Sequence, residues 1–339
     1  MKVNRTEVLK ALQVVKPGLA NLEIIEQSSS FAFLGNRVVT YNDVISVSHP
    51  ITGLKLKGAI RADELYGFLK HAKSEEVLLK FTENEILFKS GRSKAGIRLQ
   101  QKITLPLAEI EAEKDWVDLP EEFVDNLMFV KDSCSSDMGR RMLTCVHCTE
   151  NLMESSDGFA IMRLYDAKWP FENTLIPAEV IPEIKKINPI QMALSESWLH
   201  FKNADGTELS CRVLEDAYPS TTEHFEMEGA SVVFPEKMNE VLERASVFAK
   251  KEHEMEEELE ILLNGDDTLL VHGQNSYGWF KEKTSVEYEG DPVRFSIHPD
   301  LLRNILDRSN TCNLGTEKIM FNGEGWEYLA VLKASKKEA

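Results

Sequence analysis

Residues 60–99, IRADELYGFLKHAKSEEVLLKFTENEILFKSGRSKAGIRL, decide the fold, because their layout returns twice. Residues 176–214 (IPAEVIPEIKKINPIQMALSESWLHFKNADGTELSCRVL) and 297–332 (IHPDLLRNILDRSNTCNLGTEKIMFNGEGWEYLAVL) also read as strand, amphipathic helix, strand, tight turn, strand. The starts lie 116 and 121 residues apart. Solenoid repeats recur every ~20–45 residues, so this period excludes one. It predicts three tandem domains of one fold, at 1–115, 116–228 and 229–339, each of ordinary domain size.

Each copy also opens with a helix. In the first, Thr6 is a candidate N-cap, with Val8, Leu9, Leu12 and Val15 on one face, and Lys16-Pro17-Gly18 ends it. Pro120 with Glu121 and Glu122 predicts the second start, and Pro235-Glu236 the third. Met238, Val241, Leu242, Ala245 and Phe248 form the third stripe. The later helices carry Leu65, Phe68 and Leu69; Val180, Ile181, Ile184 and Ile187; and Leu301, Leu302, Ile305 and Leu306. Strand patterns lie between them, with turns at Gly35-Asn36, Asn203–Gly206, Asn264–Asp267 and Asn322-Gly323. The class is α+β, two helices on antiparallel sheet per domain. The acidic run Lys250–Glu260 reads as a solvated helix end or loop, and the tail from Lys333 as frayed.

The chain has 339 residues, 42% of them hydrophobic, enough for real cores. It contains no apolar run long enough for a membrane span and no signal-peptide pattern, so the expected place is the cytoplasm, with no membrane partner. Five scattered cysteines fit free thiols in a reducing compartment. Cys145-Val146-His147-Cys148 looks like half a metal site, but Arg141–Thr149 reads as a strand, where residues three apart point to opposite faces. No phosphate-binding glycine loop, Gly-x-Ser-x-Gly elbow or His-Glu-x-x-His motif occurs, and the eight histidines are dispersed. The expectation is a non-enzyme without cofactor or metal. A net charge of −17 argues against nucleic acid unless the cations share one surface.

Local wording, in order and at the right spacing, resembles the bacterial sliding clamps, the beta subunits of DNA polymerase III. The pieces are Leu9–Gln13, Ser90–Ser93, Arg140–Leu143 with Ser156-Asp157-Gly158, Leu175–Pro177, and Cys211–Leu214 through Tyr218-Pro219. Two spots depart from the family. Phe159-Ala160-Ile161-Met162 precedes Arg163-Leu164 where the family has His-Arg-Leu, and the end lacks a Met-Pro-Met sequence. Such divergence suits a phage-encoded or distant member, in a bacterial or host cytoplasm.

The resemblance implies a DNA polymerase processivity factor: three clamp domains, closed by a head-to-tail homodimer into a six-domain ring. Double-stranded DNA would be encircled without sequence specificity, a clamp loader would open the ring, and a DNA polymerase would dock outside. The helices would line the hole, with Lys10, Lys16, Lys70, Lys73, Lys131, Lys185, Lys186, Lys250, Lys251, Arg303 and Arg308 facing DNA, and Arg244 on the same set. Cations also favour helix C-termini for their own reasons. Ala95 and Ile97 would meet Val247 and Phe248 across the dimer, although Phe248 equally fits core. A partner peptide would sit on Leu143, Asp157, Gly158, Phe159, Pro219, Ala330, Val331 and Leu332, of which Leu143, Val331 and Leu332 also fit plain strand core. The rival reading is a clamp-like protein-binding scaffold that does not encircle DNA.

Overall fold

A computed structural model describes residues 1–82, 84–252 and 256–334. One element order occurs three times. The first copy runs β1 (Lys2–Asn4), α1 (Arg5–Val15), β2 (Ser30–Gly35), β3 (Arg37–Tyr41), β4 (Ile45–Pro50), β5 (Leu56–Arg61), α2 (Ala62–His71), β6 (Glu76–Phe81), β7 (Glu85–Ser90) and β8 (Ser93–Gln100). A connector with α3 (Ala108–Glu111) and β9 (Val117–Asp118) leads to the second copy: α4 (Phe123–Val130), β10 (Cys145–Thr149), β11 (Leu152–Ser156), β12 (Ala160–Tyr165), β13 (Thr174–Pro177), α5 (Ile181–Ile187), β14 (Gln191–Leu194), β15 (Trp198–Lys202) and β16 (Glu208–Arg212). The third has β17 (Ala230–Val233), α6 (Met238–Ser246), β18 (Leu259–Asn264), β19 (Thr268–Asn275), β20 (Gly278–Ser285), β21 (Glu287–Tyr288), β22 (Val293–Ile297), α7 (Pro299–Leu306), β23 (Thr311–Leu314), β24 (Lys318–Gly323), β25 (Trp326–Val331) and β26 (Lys333–Ala334).

Packing groups the chain into two compact units, 1–128 with 176–215, and 129–175 with 216–339. Sheet continuity explains this grouping. In the first unit β4 pairs antiparallel with β16, giving a twelve-stranded sheet, β1-β6-β7-β8-β5-β2-β3-β4-β16-β15-β14-β9. In the second, β12 pairs with β25 within β13-β10-β11-β12-β25-β24-β23-β17-β21, and β20-β19-β18-β22-β26 form a separate sheet. Among the described residues no helix is long and apolar enough to cross a membrane.

The helical stripes are the buried faces: Val8, Leu12 and Val15; Leu65 and Leu69; Ile181 and Ile184; Val241, Leu242 and Ala245; Leu302 and Ile305. The first-helix ends are secured in parallel ways. The Val15 carbonyl accepts the Thr40 hydroxyl, and the Val130 carbonyl accepts that of Ser155. Each such bond stabilises by about 1 kcal/mol net. In the third copy Gly273 takes that place, where a Cβ would stand 2.7 Å from the Ala245 carbonyl oxygen.

Local expectations shift in seven places. Pro235 and Glu236 precede α6, which starts at Met238. Asn4, not Thr6, caps α1, its Oδ1 accepting the Glu7 amide at 3.0 Å. Glu121 and Glu122 form the turn before α4, with Glu122 at φ 63°, so the helix starts at Phe123 rather than at Pro120. Met138–Thr144 is a 3-10 turn, because the Asp137 side chain accepts the Gly139 amide, and strand begins only at Cys145. The β24–β25 turn falls at Glu324 and Gly325, one step beyond Asn322-Gly323. The acidic run ends in β18, and its residues 253–255 lie outside the described residues. Lys333 and Ala334 pair with Ser296 and Phe295 rather than fraying, while 335–339 lie outside the described residues.

Candidate nucleic-acid interface and docking site

The cations expected to face DNA all lie on the helices or just past their ends, and many have partners. In the first unit Lys16 sits 5.0 Å over the Tyr66 ring, Lys185 pairs with Asp125 at 3.0 Å, and Lys186 with Glu183 at 2.6 Å. In the second, Lys131 pairs with Asp132 at 2.6 Å, Lys251 with Glu258 at 3.4 Å, and Arg303 with Asp300 at 3.4 Å. Arg308 stacks 3.8 Å over Phe129, and Arg244 holds Glu282 through two nitrogens. Lys10, Lys70, Lys73 and Lys250 make no ion pair among the described residues.

The six helices of seven residues or more carry seven Lys and Arg against eight Asp and Glu, whereas the whole chain stands at −17. Negative charge is therefore concentrated on strands and loops, and the helix faces are close to neutral. The α6–α7 face is the least basic. A cleft there is lined by Asp132, Glu240, Glu243, Asp300 and Asp307, with Arg303 and Arg308 as the cations.

Among the open edges of the described sheets, those of β8 and β20 carry or support the residues expected at the dimer contact. β8 pairs with β7 along Ser93–Arg98, but reaches β5 only through Leu99 and Gln100. Ala95 on that stretch is half-buried, and Ile97 is buried. In the second unit β20 is the outer strand of its sheet. Phe248 stacks on Phe280 of β20 at 6.1 Å, and a Cβ at Gly278 would stand 3.2 Å from its ring, so it is half-buried support, while Val247 is 59% exposed. Tyr277 and Trp279, which sequence reading missed, stand 97% and 64% exposed at the start of this strand. The signal was available: Asn275 Oδ1 accepts the amides of Tyr277 and Gly278, so Asn-Ser-Tyr-Gly-Trp is a closed turn that presents aromatic side chains to solvent.

The second unit gathers most of the docking group. Asp157 Oδ1 accepts the Phe159 and Ala160 amides, both at 2.7 Å, which fixes the β11–β12 turn. Gly158 has φ 91°, and a Cβ there would stand 2.6 Å from Arg140 Nη1. Arg140 also donates to the Asp157 carbonyl at 3.4 Å, tying in the turn that carries Leu143. The Phe159 carbonyl accepts the Val331 amide at 2.8 Å, and Ala160 faces Ala330 across the sheet. Leu143, Ala330 and Leu332 are buried as core, and Val331 is half-buried. The exposed apolar surface belongs to Phe159, 37% exposed, and Met138, 68% exposed, with Pro219 also exposed.

Beneath this turn lies a buried polar network absent from the sequence reading. Glu154 on β11 and Arg163 on β12 are direct cross-strand partners, both over nine-tenths buried. Arg163 Nε reaches Glu154 at 3.2 Å and the Thr221 hydroxyl at 3.1 Å, and its guanidinium lies 4.4 Å over Phe225. Thr221 donates to Glu154, whose other oxygen lies 2.8 Å from His147 Nδ1. His147 Nε2 meets Asn173 Oδ1 at 2.7 Å, and the ring stacks on Tyr218 at 4.7 Å. Burial raises the Glu154 pKa, but bonds from His147 and Thr221 and the Arg163 charge outweigh it, holding the carboxyl below its usual value. His147 is thus engaged with oxygen partners, and burial pushes the Cys148 thiol up, which makes it a poor metal ligand.

No protein-family model matches the sequence. No curated protein matches it. Solved structures do. The DNA polymerase sliding clamp from Bacillus subtilis superposes with TM-score 0.85 at 15% identity, over 99% of each chain. The sliding clamp (DNA polymerase III subunit beta) from Pseudomonas aeruginosa bound to griselimycin gives 0.81 at 14%, again over 99% of each. The C. crescentus beta sliding clamp, with PEG bound to a region assigned to beta-motif tethering, gives 0.82 at 13%, over 98% of this chain and 99% of that one. At such identities the likeness carries the fold, and the fold is that of the bacterial DNA polymerase sliding clamps.

Proposed function

We propose that the chain is a DNA polymerase processivity factor that encircles duplex DNA and tethers polymerase on its outer surface. The observation that carries this is the match of one fold over nearly the whole of both chains. Three clamp domains, 1–115, 116–228 and 229–339, build each subunit, and two subunits close the ring, which a clamp loader opens for DNA. The protein acts as a scaffold in the cytoplasm, not as an enzyme, and needs no cofactor. Sedimentation tests the ring: the expected species is a dimer of the 38.5 kDa chain, and a monomer at micromolar concentration contradicts it.

The open edges of β8 and β20 suit head-to-tail pairing, which closes after two copies. Lys94 and Arg98 project from one edge and Lys281 and Lys283 from the other, so attraction must come from the ladder and from apolar groups such as Val247 and Trp279. Trp279→Ala is expected to weaken self-association by at least about tenfold, as loss of a buried interface tryptophan does. The wild-type dimer should also tighten with added salt, because salt screens like charges. An unchanged dissociation constant for the variant, or a wild-type dimer that salt loosens, would count against this edge pairing.

Polymerase would dock on Phe159, Pro219 and the Ala330–Leu332 strand end, with Leu143, Asp157 and Gly158 shaping the site, and griselimycin, bound by the Pseudomonas aeruginosa clamp, is the probe proposed for it. The DNA side rests on the helix cations. Lys185 and Lys186 are exposed and their ion pairs are worth only about 0–1 kcal/mol each, so K185E/K186E should stay folded. Affinity for linear duplex should fall, and its salt dependence should shrink by up to about 0.9 in log–log slope per lost phosphate contact. Linear-duplex affinity equal to wild type would remove these two lysines from the DNA face.

A further inference from the structure

The Glu154–Arg163 pair is more than a buried cross-strand bridge, because Thr221 inserts its hydroxyl between the two. That oxygen accepts from Arg163 and donates to Glu154, and Thr222 gives Arg163 a third contact at 3.3 Å. Thr221 is only 4% exposed, although it belongs to the connector between β16 and β17, whose neighbours 215–217, 219 and 220 are exposed. On either side, Tyr218 stacks on His147 and Phe225 lies under Arg163. These three attachments all fall on the one charged cluster, and Pro219 sits between two of them. The first unit pins its connector in part through an uncharged side chain. Gln27, buried at φ 67°, donates to the Lys102 carbonyl at 2.8 Å and accepts the Thr104 amide at 2.9 Å, pinning the first connector.

We propose that Thr221 is a positioning residue, coupling the buried Glu154–Arg163 pair to residues 216–228 and thereby fixing Pro219 as one wall of the docking site. The inference rests on the docking reading given above. The charged pair belongs to the rigid β11–β12 ladder that also carries Asp157, Gly158 and Phe159, so one cluster sets both sides of the site.

Thr221→Val keeps the shape and leaves Arg163 and Glu154 paired, but removes the shared oxygen. Thr221→Ser restores it. Hydrogen exchange on the full chain and griselimycin affinity are measured for both variants and the wild type. For T221V the amides of Tyr218 and residues 220–226 should exchange about tenfold faster, with strands β10–β12 unchanged, since local opening is independent of global unfolding. Griselimycin should bind about tenfold more weakly, with dimer mass unaltered, and T221S should return both values to wild type. Wild-type exchange in T221V overturns the coupling, and faster exchange with unchanged affinity overturns the positioning role. A wild type that does not take griselimycin overturns the docking reading instead, and the exchange comparison then still decides whether Thr221 anchors the connector.

Discussion

Arg163→Met lowers stability by roughly 3–5 kcal/mol at pH 7, the range for stranding one member of a buried ion pair. The carboxylate left behind is Glu154, 4% exposed, and with Arg163 gone its charge rests on Thr221 and His147 alone. Removing both charges should be far milder. E154L/R163M is expected to recover most of the loss, because the desolvation of two ions disappears with their attraction. The pH dependence gives a second check. The folded carboxyl is held below its ordinary 4.5, so its stabilising contribution is complete above that value and is lost as pH falls through the folded pKa. In the single variant the stranded carboxyl titrates higher, and acid relieves it. The gap between wild type and R163M should therefore narrow below pH 4.5. Urea unfolding followed by a probe in the second unit measures both effects. A loss under about 1 kcal/mol, or a gap that ignores pH, would show that the pair is not the anchor described.

Trp198→Ala is expected to destabilise the first unit by roughly 3–5 kcal/mol, as large-to-small changes at buried tryptophans do. The indole is 1% exposed and packs in one cluster with Ala32, Val39, Tyr41, Leu105, Leu107 and Ile110. Tyr41 lies 5.8 Å away, the Arg212 guanidinium covers the ring at 4.6 Å, and Nε1 donates to Glu109 at 3.0 Å. Leu105, Leu107, Glu109 and Ile110 all belong to the connector after β8. The substitution should thus release that connector as well as open a cavity. Trp198→Phe keeps the packing but drops the Glu109 bond, and should lose only about 1–2 kcal/mol. Exchange rates at 105–111 that stay at wild-type values in the alanine variant would contradict the packing account.

The repeat and the helical stripes were legible because burial imposes a period of 3.6 on residues such as Leu302 and Ile305, and that period survives sequence divergence. Boundaries were less so. Asn4 and Thr6 are both capping types, and only the side-chain bond to the Glu7 amide distinguishes them. Arg141–Thr149 looks like continuous strand, but the Asp137 cap winds its start into a 3-10 turn. The β11–β12 turn could be named from Asp157 and Gly158, whereas the buried pair on the same two strands could not. Glu154 and Arg163 face each other across a register that no single strand displays. The charge reading had the same limit, since Lys185 finds Asp125 sixty residues away. A count of cations on helices therefore overstated how basic those faces are.

The most direct test of the account loads the protein onto DNA and compares retention on a circle with retention after the circle is cut. The helix faces are too nearly neutral to hold a duplex by affinity, so retention must come from topology. The account predicts a dimer that stays on the intact circle, even at raised salt, and is lost once an end is available. Equal loss from both substrates, or a monomer that never stays on the circle, would contradict encirclement and leave a clamp-shaped protein-binding scaffold.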